Sequence, residues 1–232
     1  MAMTHVSGTT YKFKFSWFRD FNSSITSPTT GFKIRAKSAP YAQIATVNFT
    51  MVGQEVKVVY KPEDCAPPGL IPYVGKRTYE ATVNLSACTD PAGYYIYASD
   101  NARNYDIVNL PGGGGQSIEY VMEFPAVALP QFAGHNSPAF NKDPLTFFCV
   151  GRPYNIDWQL IDPTPGDYYV CSNTLPLDFP GEPGYPYLRT VYSNGYNVNY
   201  NIMDGVPDVN INSTNGMVSF LPTKIGNYQL AF

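Results

Sequence analysis

The sequence predicts an all-β chain built as two consecutive β-sandwich domains, residues 1–130 and 131–232. Three observations carry that expectation. Apolar residues almost never recur at i, i+3, i+4 and i+7 over two turns, and proline or glycine interrupts nearly every window, so there is no helical stripe to bury. Alternation of apolar and polar residues, the period of a half-buried strand, is frequent along the chain. Between the two regions "PAVALPQFAGHNSPAFNKDP", Pro125 to Pro144, is rich in proline and small residues and keeps no period, which reads as an interdomain connection with its boundary between about Phe124 and Phe140.

The first region opens its pattern at Tyr11, Phe13, Phe15 and Trp17, which alternate with Lys12, Lys14 and Ser16, so one aromatic face should meet a core. Strands are expected next at Ala45–Met51, Glu55–Tyr60, Arg77–Leu85, Gly93–Ala98 and Ser117–Phe124. In the last of these Ile118, Tyr120, Met122 and Phe124 face one way, and Glu119 and Glu123 the other. The second region is expected to place strands at Thr146–Val150, Tyr154–Ile161, Tyr168–Cys171, Tyr196–Tyr200, Val209–Asn212, Met217–Phe220 and Tyr228–Phe232. Asn215-Gly216 between alternating apolar residues signals a tight hairpin, Pro222 ends its second strand, and Gly226 permits a further turn. Short strands separated by turn signals in about 95 residues predict an immunoglobulin-like or cadherin-like sandwich for this half. Since the sequence ends within an alternating run, the 232 residues are expected to be a piece of a longer protein.

Composition narrows the function. Charged residues make up 14% of the chain against about 25% in an average soluble protein, while aromatic residues reach 15%, with 19 tyrosines and 21 prolines. A formal net charge of −3, with Lys33, Arg35 and Lys37 as the one basic cluster, offers no field for phosphates and argues against nucleic acid as a partner. No run of about 18 apolar residues exists to insert into a membrane as a helix. Cys65, Cys88, Cys149 and Cys171 permit three pairings, and two cysteines in each half favour Cys65–Cys88 and Cys149–Cys171, with four free thiols as the other reading.

Several stretches, taken in order, resemble a known module. Gly8-Thr9-Thr10-Tyr11 leads to Trp17-Phe18-Arg19-Asp20, and Tyr79-Glu80-Ala81-Thr82-Val83 leads to Ala102-Arg103-Asn104. Then come Ser137-Pro138-Ala139-Phe140, Phe147-Phe148-Cys149-Val150-Gly151-Arg152-Pro153, Asp162-Pro163-Thr164-Pro165-Gly166-Asp167, Thr214-Asn215-Gly216, Leu221-Pro222-Thr223 and Gly226-Asn227-Tyr228. Over nearly its whole length the chain is similar to a module of the large secreted surface proteins of Bacteroidota, many of which end in a gliding-motility-associated or type IX secretion sorting domain. Phe21 stands where the family often has a cysteine, and Asn101-Ala102 where it has a double cysteine. The resemblance implies an extracellular or cell-surface location and a chain that continues into further domains. It also implies a "DPDGD"-type turn like the calcium loops of cadherin-like repeats. Asp162 and Asp167 are the matching candidates for calcium, but Thr164-Pro165 replaces the central aspartate, and an ordinary turn is the better reading.

No catalytic constellation is expected. Pro111–Gly115, "PGGGG", lacks the Lys-Ser/Thr and helix of a phosphate loop; His5 and His135 are isolated; no nucleophile elbow occurs. Asn22, Asn48, Asn84 and Asn212 lie in N-x-Ser/Thr sequons. The tyrosines of "GYYIYAS" and, above all, Tyr185, Tyr187, Tyr192 and Tyr196 exceed what alternating core packing requires and are candidates for glycan or protein contact, though covering of the Pro/Gly-rich loops is the better reading. The expected function is therefore a non-catalytic structural module of a large extracellular adhesin, fibre or surface appendage, contacting neighbouring domains and other copies of itself. The alternative is a carbohydrate-binding module of a secreted polymer-degrading protein.

Overall fold

The longest alternating run becomes one of the two longest strands. The computed structural model describes residues 1–20, 28–58, 74–100, 107–111, 118–143, 147–164, 166–177, 192–193, 196–197, 209–226 and 228. Strands β1 (Ala2–Ser7), β2 (Thr10–Asp20), β5 (Thr50–Val58) and β6 (Val74–Asn84) form an antiparallel sheet in the order β1-β2-β6-β5. Strands β3 (Gly31–Ala36), β4 (Gln43–Asn48), β7 (Tyr94–Asp100) and β8 (Ile118–Phe124) form a second, in the order β4-β3-β7-β8. The chain is all-β, with no α-helix among the described residues.

One core joins the two sheets. Tyr11, Phe13, Phe15 and Trp17 of β2 and Tyr79 of β6 meet Phe32 and Ile34 of β3, Val47 of β4, Tyr94 and Ile96 of β7 and Phe124 of β8. Phe49, where the chain passes from β4 to β5 and so from one sheet to the other, is buried in the same cluster. Rings pack edge to face, Phe15 lying 5.3 Å from Phe32 and 4.9 Å from Tyr120 between centroids, the arrangement that ring quadrupoles favour.

β1 and β3 were not expected. β1 buries only Met3 well and is specified by its pairing with β2 rather than by its own pattern. β3 reads "GFKIRA", and its lysine and arginine dominate by eye. Lys33 and Arg35 are in fact the outward alternates of the buried Phe32, Ile34 and Ala36, so the basic cluster is half of a strand pattern. The outer face of this sheet is also covered. Tyr95 and Tyr97 face away from the sandwich core, yet are 0% and 4% exposed, and Glu119 is 8% exposed. Burial pushes the Tyr95 hydroxyl above its ordinary pKa.

The expected connection is less separate than its composition suggests. Ala126 and Val127 are fully buried in the sandwich core, and Leu129 and Phe132 pack against it around a single 3-10 turn, Pro130–Phe132. No strand occurs from 125 to 138.

The second half has a smaller core. β10 (Tyr154–Ile156), β13 (Val218–Phe220) and β12 (Val209–Ile211) form a sheet in that order, and β9 (Ala139–Phe140) pairs with β11 (Leu160–Ile161) in a two-stranded ribbon. Ile156, Val209, Val218 and Phe220 are buried, with Phe148 and Tyr154 packed against them. The Asn215-Gly216 hairpin forms as expected: Ile211 faces Val218, Gly216 takes φ +68°, and its N–H donates to Asn212 O at 2.8 Å.

Other expected strands do not form. Tyr154–Ile161 is divided because Gln159 N–H donates to Asp157 Oδ1 (2.8 Å) and Gln159 adopts φ +51°, which turns Leu160–Ile161 away to pair with β9. Residues 147–150 and Tyr168–Cys171 are not strands. Tyr196–Tyr200 and Tyr228–Phe232 fall largely outside the described residues, and Tyr196 and Tyr228 themselves are not in strands.

Candidate functional site: the seam between the two halves

β1 is an outer strand, and such a strand carries a row of amides and carbonyls in need of partners. The connection supplies them. Ser137 N–H donates to Met3 O at 2.9 Å, Met3 N–H donates to Ser137 Oγ at 2.7 Å, and His5 N–H donates to Asn136 Oδ1 at 2.8 Å. Gly134 N–H donates to the hydroxyl of Tyr11 at 3.0 Å, and the Tyr11 ring is fully buried in the core.

The same stretch also reaches forward. Asn136 N–H donates to Thr164 Oγ1 (2.9 Å), and His135 Nδ1 lies 2.9 Å from Asp167 Oδ2. Lys76 of β6 pairs with Asp143. Residues 134–143 are thus bonded to the sandwich on one side and to the 162–167 turn on the other. Each hydrogen bond contributes about 0.5–1.5 kcal/mol net, so the set resists relative movement far better than any one member.

The calcium candidates lie among these contacts. Asp162 Oδ1 accepts from Thr164 N–H (2.9 Å), Asp167 N–H donates to Thr164 O (3.3 Å), and the Asp167 carboxylate faces His135. Both aspartates close the turn and hold the seam. Among the described residues no group of three His, Cys, Asp or Glu side chains gathers as a metal site. His135, isolated in sequence, finds Asp167 only through tertiary folding.

Both favoured cysteine pairings are corrected. Cys88 and Cys171 are free thiols. Cys88 is completely buried in the sandwich core, where burial pushes its pKa up to about 12. Cys171 is not on a returning strand: its N–H donates to Ser213 O (3.0 Å), and its sulfur lies beside Gly216, where an added Cβ would sit 3.2 Å from Sγ. Residues 147–150 and 168–171 are not strands, so no antiparallel pair brings Cys149 and Cys171 together. Cys149 is disulfide-bonded, and Cys65 lies outside the described residues. Alkylation of the denatured, unreduced protein should therefore label Cys88 and Cys171, with Cys149 labelled only after reduction. Peptide mapping checks this, and protection of Cys171 before reduction would contradict it.

The aromatic candidates divide. Tyr185 and Tyr187 lie outside the described residues. Tyr192 is buried, so it presents no open stacking face, and the half-buried Tyr196 lies 6.2 Å from Tyr228 between ring centroids. Tyr94, Tyr95 and Tyr97 of "GYYIYAS" are buried as well.

Sequence reasoning missed one charged cluster. The inward row of β2 ends in Arg19 and that of β6 in Arg77 and Gly75, next to Trp17 and Tyr79. A bulge between Val52 and Val56 of β5 brings Glu55 to both arginines: Arg19 Nε and Nη2 approach its carboxylate at 3.1 and 3.0 Å, and Arg77 Nε donates to it as well. Burial raises the Glu55 pKa, but the hydrogen bonds and charges of Arg19 and Arg77 outweigh it and hold the carboxyl below its ordinary value. The one available signal was parity: Arg77 lies in an expected strand, and Arg19 continues the alternating row of Tyr11, Phe13, Phe15 and Trp17 by one step. No protein-family model, curated protein or solved structure matches this chain.

Proposed function

We propose that the chain is a non-catalytic structural module of a large extracellular adhesin, fibre or cell-surface appendage, its second half an immunoglobulin-like or cadherin-like sandwich. The seam is the observation that carries this reading: hydrogen bonds from residues 134–137 seal the outer edge of β1 and continue into Thr164 and Asp167. A module joined in this way transmits load and keeps its orientation, where a free linker would do neither. The aromatic, charge-poor composition and the ordered resemblance to secreted surface modules support the same reading.

Small-angle scattering of the chain should give one fixed particle dimension that the double variant Asn136→Ala/Ser137→Ala broadens without unfolding either half. Electron microscopy of the longer protein should show extended, regularly spaced particles. A compact, enzymatically active particle, or scattering unchanged by the double variant, would count against the proposal.

A further inference from the structure

The disulfide bond of Cys149 needs a second sulfur. The chain has four cysteines, Cys65, Cys88, Cys149 and Cys171, and of these Cys88 and Cys171 are free thiols. Within one chain that leaves Cys65. Burial opposes a bond to a second copy: Cys149 is 3% exposed, and a sulfur so enclosed by its own chain cannot come within about 2.05 Å of a neighbour's.

Topology brings the two stretches of chain to one place. Cys65, outside the described residues, lies in the connection from β5 to β6. Both ends of that connection are fixed, because Val58 and Val74 are partners in the ladder and the chain leaves and rejoins the sheet at one point. Lys76, next but one after Val74, pairs with Asp143, so the segment leading to Cys149 starts beside that point. Nine residues separate Val74 from Cys65 and six separate Asp143 from Cys149. Their extended reach, about 30 and 20 Å, is ample for the Cα separation of roughly 4.4–6.8 Å that a disulfide needs.

We propose that Cys65 and Cys149 form a disulfide that ties the first sandwich to the second half. Its formation joins the two sulfurs and releases two protons and two electrons; the electrons reduce the disulfide of a thiol–disulfide exchange partner to two thiols. Such a tie differs in kind from the seam. The hydrogen bonds of residues 136 and 137 to β1 are lost whenever the halves part locally, whereas a covalent bond holds through such openings. The loop it closes runs from residue 65 to residue 149 and includes strands of both halves, and long loops confine the unfolded chain most. Enclosure of the Cys149 sulfur keeps an attacking thiolate away, so the bond is a structural tie suited to an oxidising compartment. It does not rest on the function proposed above, and its failure would leave the seam intact.

The test is peptide mapping of the 232-residue chain, refolded with reduced and oxidised glutathione and digested without reduction. A peptide holding Cys65 should be joined to one holding Cys149, and reduction should release both. In Cys65→Ser the Cys149 peptide should be joined to no other, while Cys171→Ser should leave the link intact. Cys65→Ser should also lower the urea midpoint as far as reduction lowers that of wild type, with no further loss when the variant is itself reduced. A link from Cys149 to Cys88 or Cys171 in wild type, a disulfide-joined dimer, or alkylation of Cys149 without reduction would overturn the proposal.

Discussion

Phe15→Ala is expected to cost about 3–5 kcal/mol of stability, through lost transfer free energy and the cavity left behind. Phe15 sits centrally on the inward row of β2, and its ring meets Phe32, Phe49, Tyr79 and Tyr120, drawn from both sheets. Neighbours held by two sheets cannot close over the gap, so the upper part of that range applies. Phe18 is the control, since it lies on the opposite face of the same strand under Lys76, and Phe18→Ala should cost less than about 1.5 kcal/mol. The two tryptophans, Trp17 and Trp158, lie one in each half, so urea unfolding followed by fluorescence in a Trp158→Phe background reports the sandwich alone. Equal losses for Phe15→Ala and Phe18→Ala would show that the inward row is misassigned.

That contrast also explains which parts of the fold the sequence disclosed. β2, β6 and β8 are half-buried strands with one apolar face, and period two finds them directly. β3 shows the same alternation in "GFKIRA", but over six residues two positive charges hid it. The second half was overpredicted for a different reason. Its apolar alternation continues through Asp157–Gln159 and Tyr168–Cys171, but one carboxylate accepting a backbone N–H two residues on redirects the strand, and periodicity does not register such a turn. The seam was legible only as a gap in the pattern. Its partners lie 131 and 134 residues apart along the chain, a separation at which no local rule operates. The tyrosines misled because period two assumes one dry face, whereas the sheet containing β7 is covered on both.

Glu55→Ala is the second change expected to have a large effect, about 2–5 kcal/mol, because it removes the carboxylate that Arg19 and Arg77 share at the end of the core. Placing two guanidinium groups beside Trp17 and Tyr79 is tolerable only while a negative charge lies between them. Gly75 completes the arrangement: a Cβ there would fall 2.1 Å from Glu55 Oε1, so Gly75→Ala should reproduce part of the loss by displacing the carboxylate without removing it. Glu55→Gln isolates the charge, since the amide keeps the shape and one acceptor. The Glu55 pKa lies lower in the folded chain than its ordinary 4.5, so the stability it adds is complete above that pH and fades as the pH falls through the folded value. Wild type should accordingly exceed Glu55→Gln in urea midpoint at neutral pH, and the difference should shrink progressively below about pH 4.5. A difference that stayed constant, or grew on acidification, would mean that the arginines are neutralised by some other group and that Glu55 contributes through packing alone.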